Sequence, residues 1–129
     1  MKPYIPKKDA RKPNLKIASS EPLHSRNFRK HLAYQRGWRA FQRGYYWEAH
    51  EYWEPVWRAT RDPAIRHFLQ ALIQISAAQL KRKMGHYSAV RALLKSAERH
   101  LHASQCKQIF RLRISTLMNR ICELRRTCT

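Results

Sequence analysis

The sequence predicts an all-α fold, a compact bundle of about five helices that follows a basic, proline-containing N-terminal arm. Residues that favour helices, such as alanine, leucine, arginine and glutamine, are common, whereas glycine occurs only three times in 129 residues. Alternating polar and apolar segments bounded by turn residues, which indicate β-strands, are absent. Helix start and stop signals divide the chain into segments of helix length. These signals are Ser25, Gly44, Asp62-Pro63, Gly85 and Ser104.

Residues 1–24 are predicted to form a flexible basic arm. They hold four of the six prolines and six lysines and arginines, and they show no helical periodicity. Such a segment is either a solvated tail or an arm that lies along nucleic acid or another acidic surface. Residues 25–129 are then expected to form a single α-helical domain.

The first two helices are predicted over residues 25–43 and 46–59. Ser25 is suited to cap the first helix, and Gly44 to end it. Pro55 lies inside the second helix, where it removes one backbone hydrogen bond. A kink or a tightened turn is therefore expected near Pro55.

The third helix, over residues 64–84, is expected to be the central one because it is apolar on nearly all sides. Asp62 is placed to cap it, and the proline that follows suits the first helical position. The last two helices are expected over residues 86–102 and 105–126. The fifth carries an apolar seam of heptad-like spacing, which we expect to pack on the fourth helix within one monomer. The seam residues are Phe110, Ile114, Leu117, Ile121 and Leu124.

The chain carries a formal net charge of +19, with 27 lysines and arginines against eight acidic residues. The excess is present in every part of the sequence, so it raises the affinity for any polyanion without indicating a dedicated site. No apolar run reaches the length of a membrane span, and the N-terminus lacks the apolar core of a secretory signal. Three cysteines without metal-type spacing fit a reducing compartment. A cytoplasmic protein, monomeric or homodimeric, is therefore expected.

The candidate site lies in residues 46–57, which hold three of the four tryptophans and three of the eight acidic residues. Read as a helix, this segment places His50 and Glu54 on its aromatic, core-seeking face with Trp57. Glu48 is expected on the opposite side. Burying an imidazole and a carboxylate is costly unless each finds a partner. Both side chains are therefore predicted to be buried among polar partners.

The third helix offers such partners in Gln70 and Gln74, which form a polar stripe on an otherwise apolar helix. Two buried glutamines also require hydrogen bonds. The simplest arrangement places this stripe opposite His50 and Glu54.

Two blocks of these helices carry a characteristic set of residues. They are Phe41, Gly44-Tyr45-Tyr46-Trp47-Glu48-Ala49-His50-Glu51, Trp53-Glu54, Trp57-Arg58, Arg66-His67-Phe68-Leu69-Gln70-Ala71-Leu72-Ile73-Gln74, Ala77-Ala78 and Gly85. With these residues the chain resembles the domain-of-unknown-function 309 family over about residues 34–101. This family usually has glycine in place of Ala71 and asparagine in place of His86. The resemblance implies a compact α-helical bundle, and members are sometimes labelled predicted metal-dependent hydrolases.

One hypothesis is a metal-dependent hydrolase or a small-ligand binder. His50 and Glu54, four residues apart on a helix, point to the same side and are suited to share one divalent metal ion. Glu51, with His50, would then serve in acid–base catalysis. The remaining candidates would orient a ligand or line the site. They are Gln70, Gln74, Trp47, Trp57 and His67.

The alternative is a non-enzymatic protein that associates weakly with nucleic acid through its basic surface. The cluster of His50, Glu54, Gln70 and Gln74 would then be a structural network that fixes helix register. The ligand count bears on this choice, because catalytic zinc usually takes three protein ligands and the sequence shows no evident third one. Both interpretations stay open at this stage.

Overall fold

The computed structural model describes residues 21–128, which form five α-helices and one short β-hairpin. The all-α prediction is confirmed. Within the described part of the chain, no helix is long and apolar enough to cross a membrane. The elements are α1 (Leu32–Gln42), α2 (Tyr46–Ala59), α3 (Pro63–Lys83), α4 (Tyr87–Ala103), β1 (Gln108–Ile109), β2 (Leu112–Arg113) and α5 (Ile114–Arg126).

Helix α3 is the centre of the fold, as its apolar composition predicts. It packs against α2 on one side and α4 on another, while α1 covers α2 and α5 covers α4. The Asp62 side chain caps α3 by accepting a hydrogen bond from the Ile65 N–H at 3.1 Å. Six of the core residues that α3 supplies are no more than 1% exposed. They are Phe68, Leu69, Ala71, Leu72, Ile75 and Ala78.

The start of α1 differs from the prediction. Ser25 lies in a series of turns, and the helix begins seven residues later, with His31 as its cap. The His31 Nδ1 accepts the N–H of Tyr34 at 3.3 Å, and its Nε2 lies 2.8 Å from the Glu21 carbonyl oxygen. The imidazole is 2% exposed, so using both nitrogens avoids an unpaired buried polar group.

The last residues of the predicted arm, residues 21–24, contact the core. Leu23 is 1% exposed within the core, and its N–H donates to the Thr60 Oγ1 at 2.9 Å. The Thr60 hydroxyl in turn donates to the carbonyl oxygen of Val56 at 2.7 Å. Residues 21–24 are thus fixed to the end of α2, while residues 1–20 of the predicted arm lie outside the described residues.

The fifth helix begins at Ile114 instead of residue 105. Gln105, Phe110 and Arg111 have φ angles of 57°, 52° and 67°, which an α-helix cannot contain. The intervening residues form an antiparallel hairpin, in which Gln108 pairs with Arg113. The part of the predicted helix before residue 114 is therefore wrong, because these left-handed residues turn the chain back on itself.

The seam of α5 is buried within the monomer, apart from its first member. Phe110 lies at the hairpin turn and stacks on Phe28, with 4.6 Å between the ring centroids. Arg125 of α5 forms an ion pair with Glu98 of α4, which supports the predicted packing of these two helices. The other four seam residues are between 0% and 8% exposed, and they are Ile114, Leu117, Ile121 and Leu124.

Candidate functional site

Three fully buried residues determine which side of α2 faces the core. Ala49, Trp53 and Val56 are each 0% exposed. With about 100° per residue, His50 lies about 90° and Glu54 about 130° from the centre of these three residues, so neither lies at the middle of the buried face. Both side chains therefore lie where the core meets the surface.

Trp53 attaches α2 to α1. Its indole N–H donates to the carbonyl oxygen of Tyr34 at 3.1 Å. A Cβ atom at Gly37 would lie 2.1 Å from the Trp53 Nε1, so only glycine leaves room for this ring. The Trp38 and Phe41 rings pack around the indole at centroid distances of 5.2 and 5.8 Å. This contact fixes the rotation of α2 and, with it, the position of the candidate site.

His50 is flanked by carboxylates and lies half-buried, with 30% of its side chain exposed. Its Nε2 is 3.5 Å from the Glu54 Oε2, and its Nδ1 is 3.9 Å from the Glu51 Oε1. The other oxygen of Glu54 accepts a hydrogen bond from Arg58. The carboxylates of Glu51 and Glu54 are also partly exposed, at 36% and 31%. The predicted side chains thus lie together at the solvent boundary, less buried than expected.

Helices α2 and α3 run antiparallel along this site. At one end, the Arg66 guanidinium lies 4.9 Å from the centroid of the Trp57 ring, and Arg66 also donates to the Trp57 carbonyl oxygen. At the other end, the Lys83 ammonium lies 5.5 Å from the centroid of the Tyr46 ring. His50 lies between these two contacts on α2. The middle of α3 is therefore the part of that helix that lies beside His50.

The glutamine stripe lies in that middle part of α3, but it makes no direct network with the histidine. Gln70 and Gln74 are half-buried. Over residues 21–128, neither forms a hydrogen bond with His50 or Glu54. The buried polar network that the sequence suggests is therefore not closed by direct hydrogen bonds.

Instead, three candidate residues contain buried polar atoms that lack a hydrogen-bond partner. These atoms are the Nδ1 of His50, the Nε1 of Trp57 and the Oε1 of Gln74. An unpartnered buried polar group costs about 1–3 kcal/mol. A donor, an acceptor and an imidazole nitrogen on α2 and α3 thus lack a hydrogen-bond partner.

His67, predicted to supplement this site, instead pairs with His100 of α4. Their Nδ1 atoms are 2.9 Å apart, and their ring centroids are 5.2 Å apart. The reason is the rotation of α3, which directs Arg66, one residue earlier, towards α2. Burial lowers the pKa of His100, and the charges of His67 and Arg99 lower it further.

The two tryptophans of the predicted site occupy different environments. Trp47 is 40% exposed in the first turn of α2, whereas Trp57 is half-buried beneath Arg66. Glu48, expected on the outside, is only 3% exposed. That expectation is wrong because the aromatic residues alone do not mark the core side.

The residues of this cluster do not fit a catalytic zinc centre. His50 and Glu54 provide two neighbouring donors, but Arg58 already engages one oxygen of Glu54. In the part of the chain that the structure describes, no group of three or more histidine, cysteine or acidic side chains is arranged to hold a metal ion. Catalytic zinc sites usually supply three protein ligands. A zinc ion at this cluster would therefore lack its usual set of protein ligands.

A family model described as a domain of unknown function (DUF309) matches residues 34–93. The matched segment includes α2 and α3 and therefore every candidate residue of the site. The hairpin and α5 lie outside it. No curated protein and no solved structure matches the chain. The match confirms the resemblance that the sequence motifs indicate, and its description names no activity.

Proposed function

We propose that the face shared by α2 and α3 binds a small polar molecule. Both helices lie within residues 34–93, which match the DUF309 family. His50 would exchange a proton with this molecule. The main support is the set of three unpartnered polar atoms on His50, Trp57 and Gln74. A ligand that carries both donors and acceptors would satisfy them and offset the cost of their burial. An amide or an amine has this combination of groups.

The charges around His50 favour a neutral or cationic ligand. Glu51 and Glu54 place two carboxylates beside the imidazole. Arg58 neutralises one of them by pairing with Glu54, whereas Glu51 faces only the histidine among the ion pairs of the described chain. An ammonium or amide N–H would therefore be attracted to the Glu51 side of the cluster.

The geometry also favours a role for His50 as a general base. With its proton on Nε2, the imidazole directs an N–H towards the Glu54 carboxylate, which is in turn held by Arg58. The lone pair of Nδ1 then remains available to accept a proton from a bound molecule. The distance of 3.5 Å to Glu54 is long for a hydrogen bond, and such contacts often tighten when a ligand binds. This arrangement needs no metal ion.

Native mass spectrometry of protein purified without a chelator tests this proposal. The wild-type protein is expected to retain a small-molecule adduct, and His50→Ala is expected to lose it. His86→Ala is the matched control, because His86 is exposed and its side chain caps no helix. An adduct retained equally by His50→Ala, or none in any of the three proteins, would contradict the proposal and favour a structural role.

The same spectra distinguish a bound metal ion from a bound small molecule. An adduct with the mass of a divalent ion, present in the wild type and lost in His50→Ala, would contradict the metal-free mechanism and favour a metal-dependent hydrolase. Elemental analysis of both proteins would then identify the ion.

A further inference from the structure

The fold brings together two segments that contain no acidic residue. Residues 22–47 and 99–122 hold eleven lysines and arginines and no aspartate or glutamate. The first segment includes α1 and the turns before it, and the second includes the hairpin and most of α5. Glu51, Glu54 and Glu98, which form ion pairs, lie on α2 and α4. The positive charge is therefore unevenly distributed among the elements.

Aromatic contacts join these two segments into one surface, which we call the acid-free face. Phe28 stacks on Phe110, and Tyr34 meets the same ring edge-on at 5.7 Å. Further along, the guanidinium of Arg120 in α5 lies 4.6 Å from the centroid of the Phe41 ring in α1. These contacts bring the turns, α1, the hairpin and α5 next to one another, with Glu21 and Glu123 just outside the two acid-free segments.

A cleft of about 260 Å³ opens on the acid-free face. Burial raises the pKa of Tyr34, which lines the cleft, to about 12. Gln35 is held in place because its amide donates to the Phe28 carbonyl oxygen at 2.7 Å. Four aromatic side chains, two glutamines and one leucine line the cleft, namely Phe28, Tyr34, Trp38, Phe110, Gln35, Gln42 and Leu112.

Basic side chains surround this cleft. The Arg29 guanidinium lies 5.5 Å from the centroid of the Phe28 ring. Arg111 follows Phe110 at the hairpin turn, and both residues have positive φ angles. Arg39 lies one helical turn from the two glutamines of the cleft. These three arginines are exposed, so they are available to phosphate groups.

We propose that the cleft and its arginines bind single-stranded nucleic acid. One unpaired base would enter the cleft beside Trp38 and the stacked pair of Phe28 and Phe110, with an amide of the cleft beside its edge. The neighbouring phosphates would contact Arg29, Arg39 and Arg111. Because the bases of a duplex are already stacked on each other, the aromatic cleft favours a single strand. This proposal is independent of the ligand site between α2 and α3, whose residues it does not use.

The affinity for fluorescein-labelled 12-nucleotide strands, measured by fluorescence anisotropy, tests the proposal. Oligouridine and oligothymidine distinguish RNA from DNA, and a duplex of equal length tests the preference for single strands. Arg29→Gln/Arg111→Gln is expected to weaken binding about tenfold. Loss of two phosphate contacts should lower the slope of log affinity against log salt by about 1.4.

The matched control is Arg61→Gln/Lys95→Gln, which removes the same charge at exposed positions outside the acid-free face. Its affinity is expected to change less than twofold. Phe28→Leu tests stacking and is expected to weaken binding roughly tenfold. Thermal unfolding followed by circular dichroism verifies that each variant is folded.

The proposal would be overturned if both double variants lost the same affinity, or if the duplex bound as tightly as the single strands. Binding would then reflect only the diffuse positive charge of the protein. Binding to vesicles that contain phosphatidylserine, without binding to the oligonucleotides, would overturn it in favour of a membrane surface. Binding to either RNA or DNA single strands with the expected losses supports it.

Discussion

Gly37 shows how one missing side chain positions the candidate site. The Trp53 ring occupies the space where a Cβ would lie, with its Nε1 and Cδ1 at 2.1 and 2.5 Å. The ring belongs to a cluster of aromatic contacts, so it cannot move without disturbing Trp38 and Phe41. A substitution at Gly37 should therefore shift α2 relative to α1 and disturb the position of His50.

Gly37→Ala is expected to lower the free energy of unfolding by about 1–3 kcal/mol, because overpacking outweighs the better helix propensity of alanine. Urea unfolding measures this change. The same substitution in a Trp53→Leu background provides the control, since the smaller side chain removes the clash. If Gly37→Ala costs as much in that background, the contact with Trp53 is not the cause.

Gln74 provides a second test at the residue scale. Its buried Oε1 lacks a hydrogen-bond partner, so Gln74→Met is expected to raise the free energy of unfolding by about 1 kcal/mol. The adduct seen in native mass spectrometry should be lost at the same time. Gln70→Met is the matched control, because Gln70 is also half-buried on α3 but has no such orphaned buried atom. A loss of stability in Gln74→Met alone would show that the amide has a partner after all.

At the scale of elements, the contact between α3 and α4 contains the histidine pair His67 and His100. Only one Nδ1 of His67 and His100 can donate across their 2.9 Å contact, so the other must be unprotonated. The pKa of His100 in the folded protein is lowered from 6.5 by burial, then by His67 and Arg99. Below pH 6.5, the His100 imidazole therefore binds a proton more readily in the unfolded chain than in the folded chain.

Stability contributed by this contact should be present above pH 6.5 and should decrease as the pH falls towards the lowered pKa of the folded state. Melting temperatures measured between pH 7.5 and 5 are expected to decrease for the wild type, and less steeply for His100→Gln. His102→Gln is the control, because His102 is exposed on the same helix. Equal slopes in all three proteins would exclude the histidine pair as the cause.

The elements also show which parts of the fold the sequence could predict. Helices α2, α3 and α4 lie within one residue of the predicted bounds because local residues mark their ends, as Asp62 does for α3. The start of α1 depends on a contact between His31 and the Glu21 carbonyl oxygen, ten residues away. The hairpin depends on Phe110 meeting Phe28, which no local pattern reveals. Contacts between residues far apart in the sequence thus explain why the starts of α1 and α5 were not predicted correctly.

The same limit applies to the candidate site. The spacing of His50 and Glu54 was sufficient to predict that they share one side of α2, and the structure places them 3.5 Å apart. The spacing could not predict how far α2 is rotated, because that depends on Trp53 fitting against Gly37. The sequence therefore predicts that Glu48 is exposed, whereas it is buried, and that His67 joins the site, whereas it contacts His100.

At the scale of the whole molecule, the fold turns a diffuse charge into an uneven one. In the sequence, every part of the chain has a positive excess. In the structure, the acid-free face gathers basic side chains around the aromatic cleft, while Glu51 and Glu54 accompany His50 on α2. The two proposed sites therefore differ in the charge of the ligand that they favour.

This uneven charge should make the stability of the protein depend on salt. With a net charge of +19 and few ion pairs in the described chain, repulsion among basic side chains outweighs attraction. Raising the ionic strength from about 0.01 to 0.15 M shortens the Debye length from about 30 to 8 Å, which screens this repulsion. The melting temperature at pH 7.5 is therefore expected to rise by several degrees.

The rise should be smaller in Arg29→Gln/Arg111→Gln than in Arg61→Gln/Lys95→Gln, because the first pair lies where basic side chains are not interspersed with acidic ones. Differential scanning calorimetry in sodium chloride measures all three proteins. A melting temperature that falls with salt would show that attractive pairs such as Glu98 with Arg125 dominate. Equal rises in the two double variants would instead show that the repulsion is spread evenly, and that the acid-free face does not concentrate it.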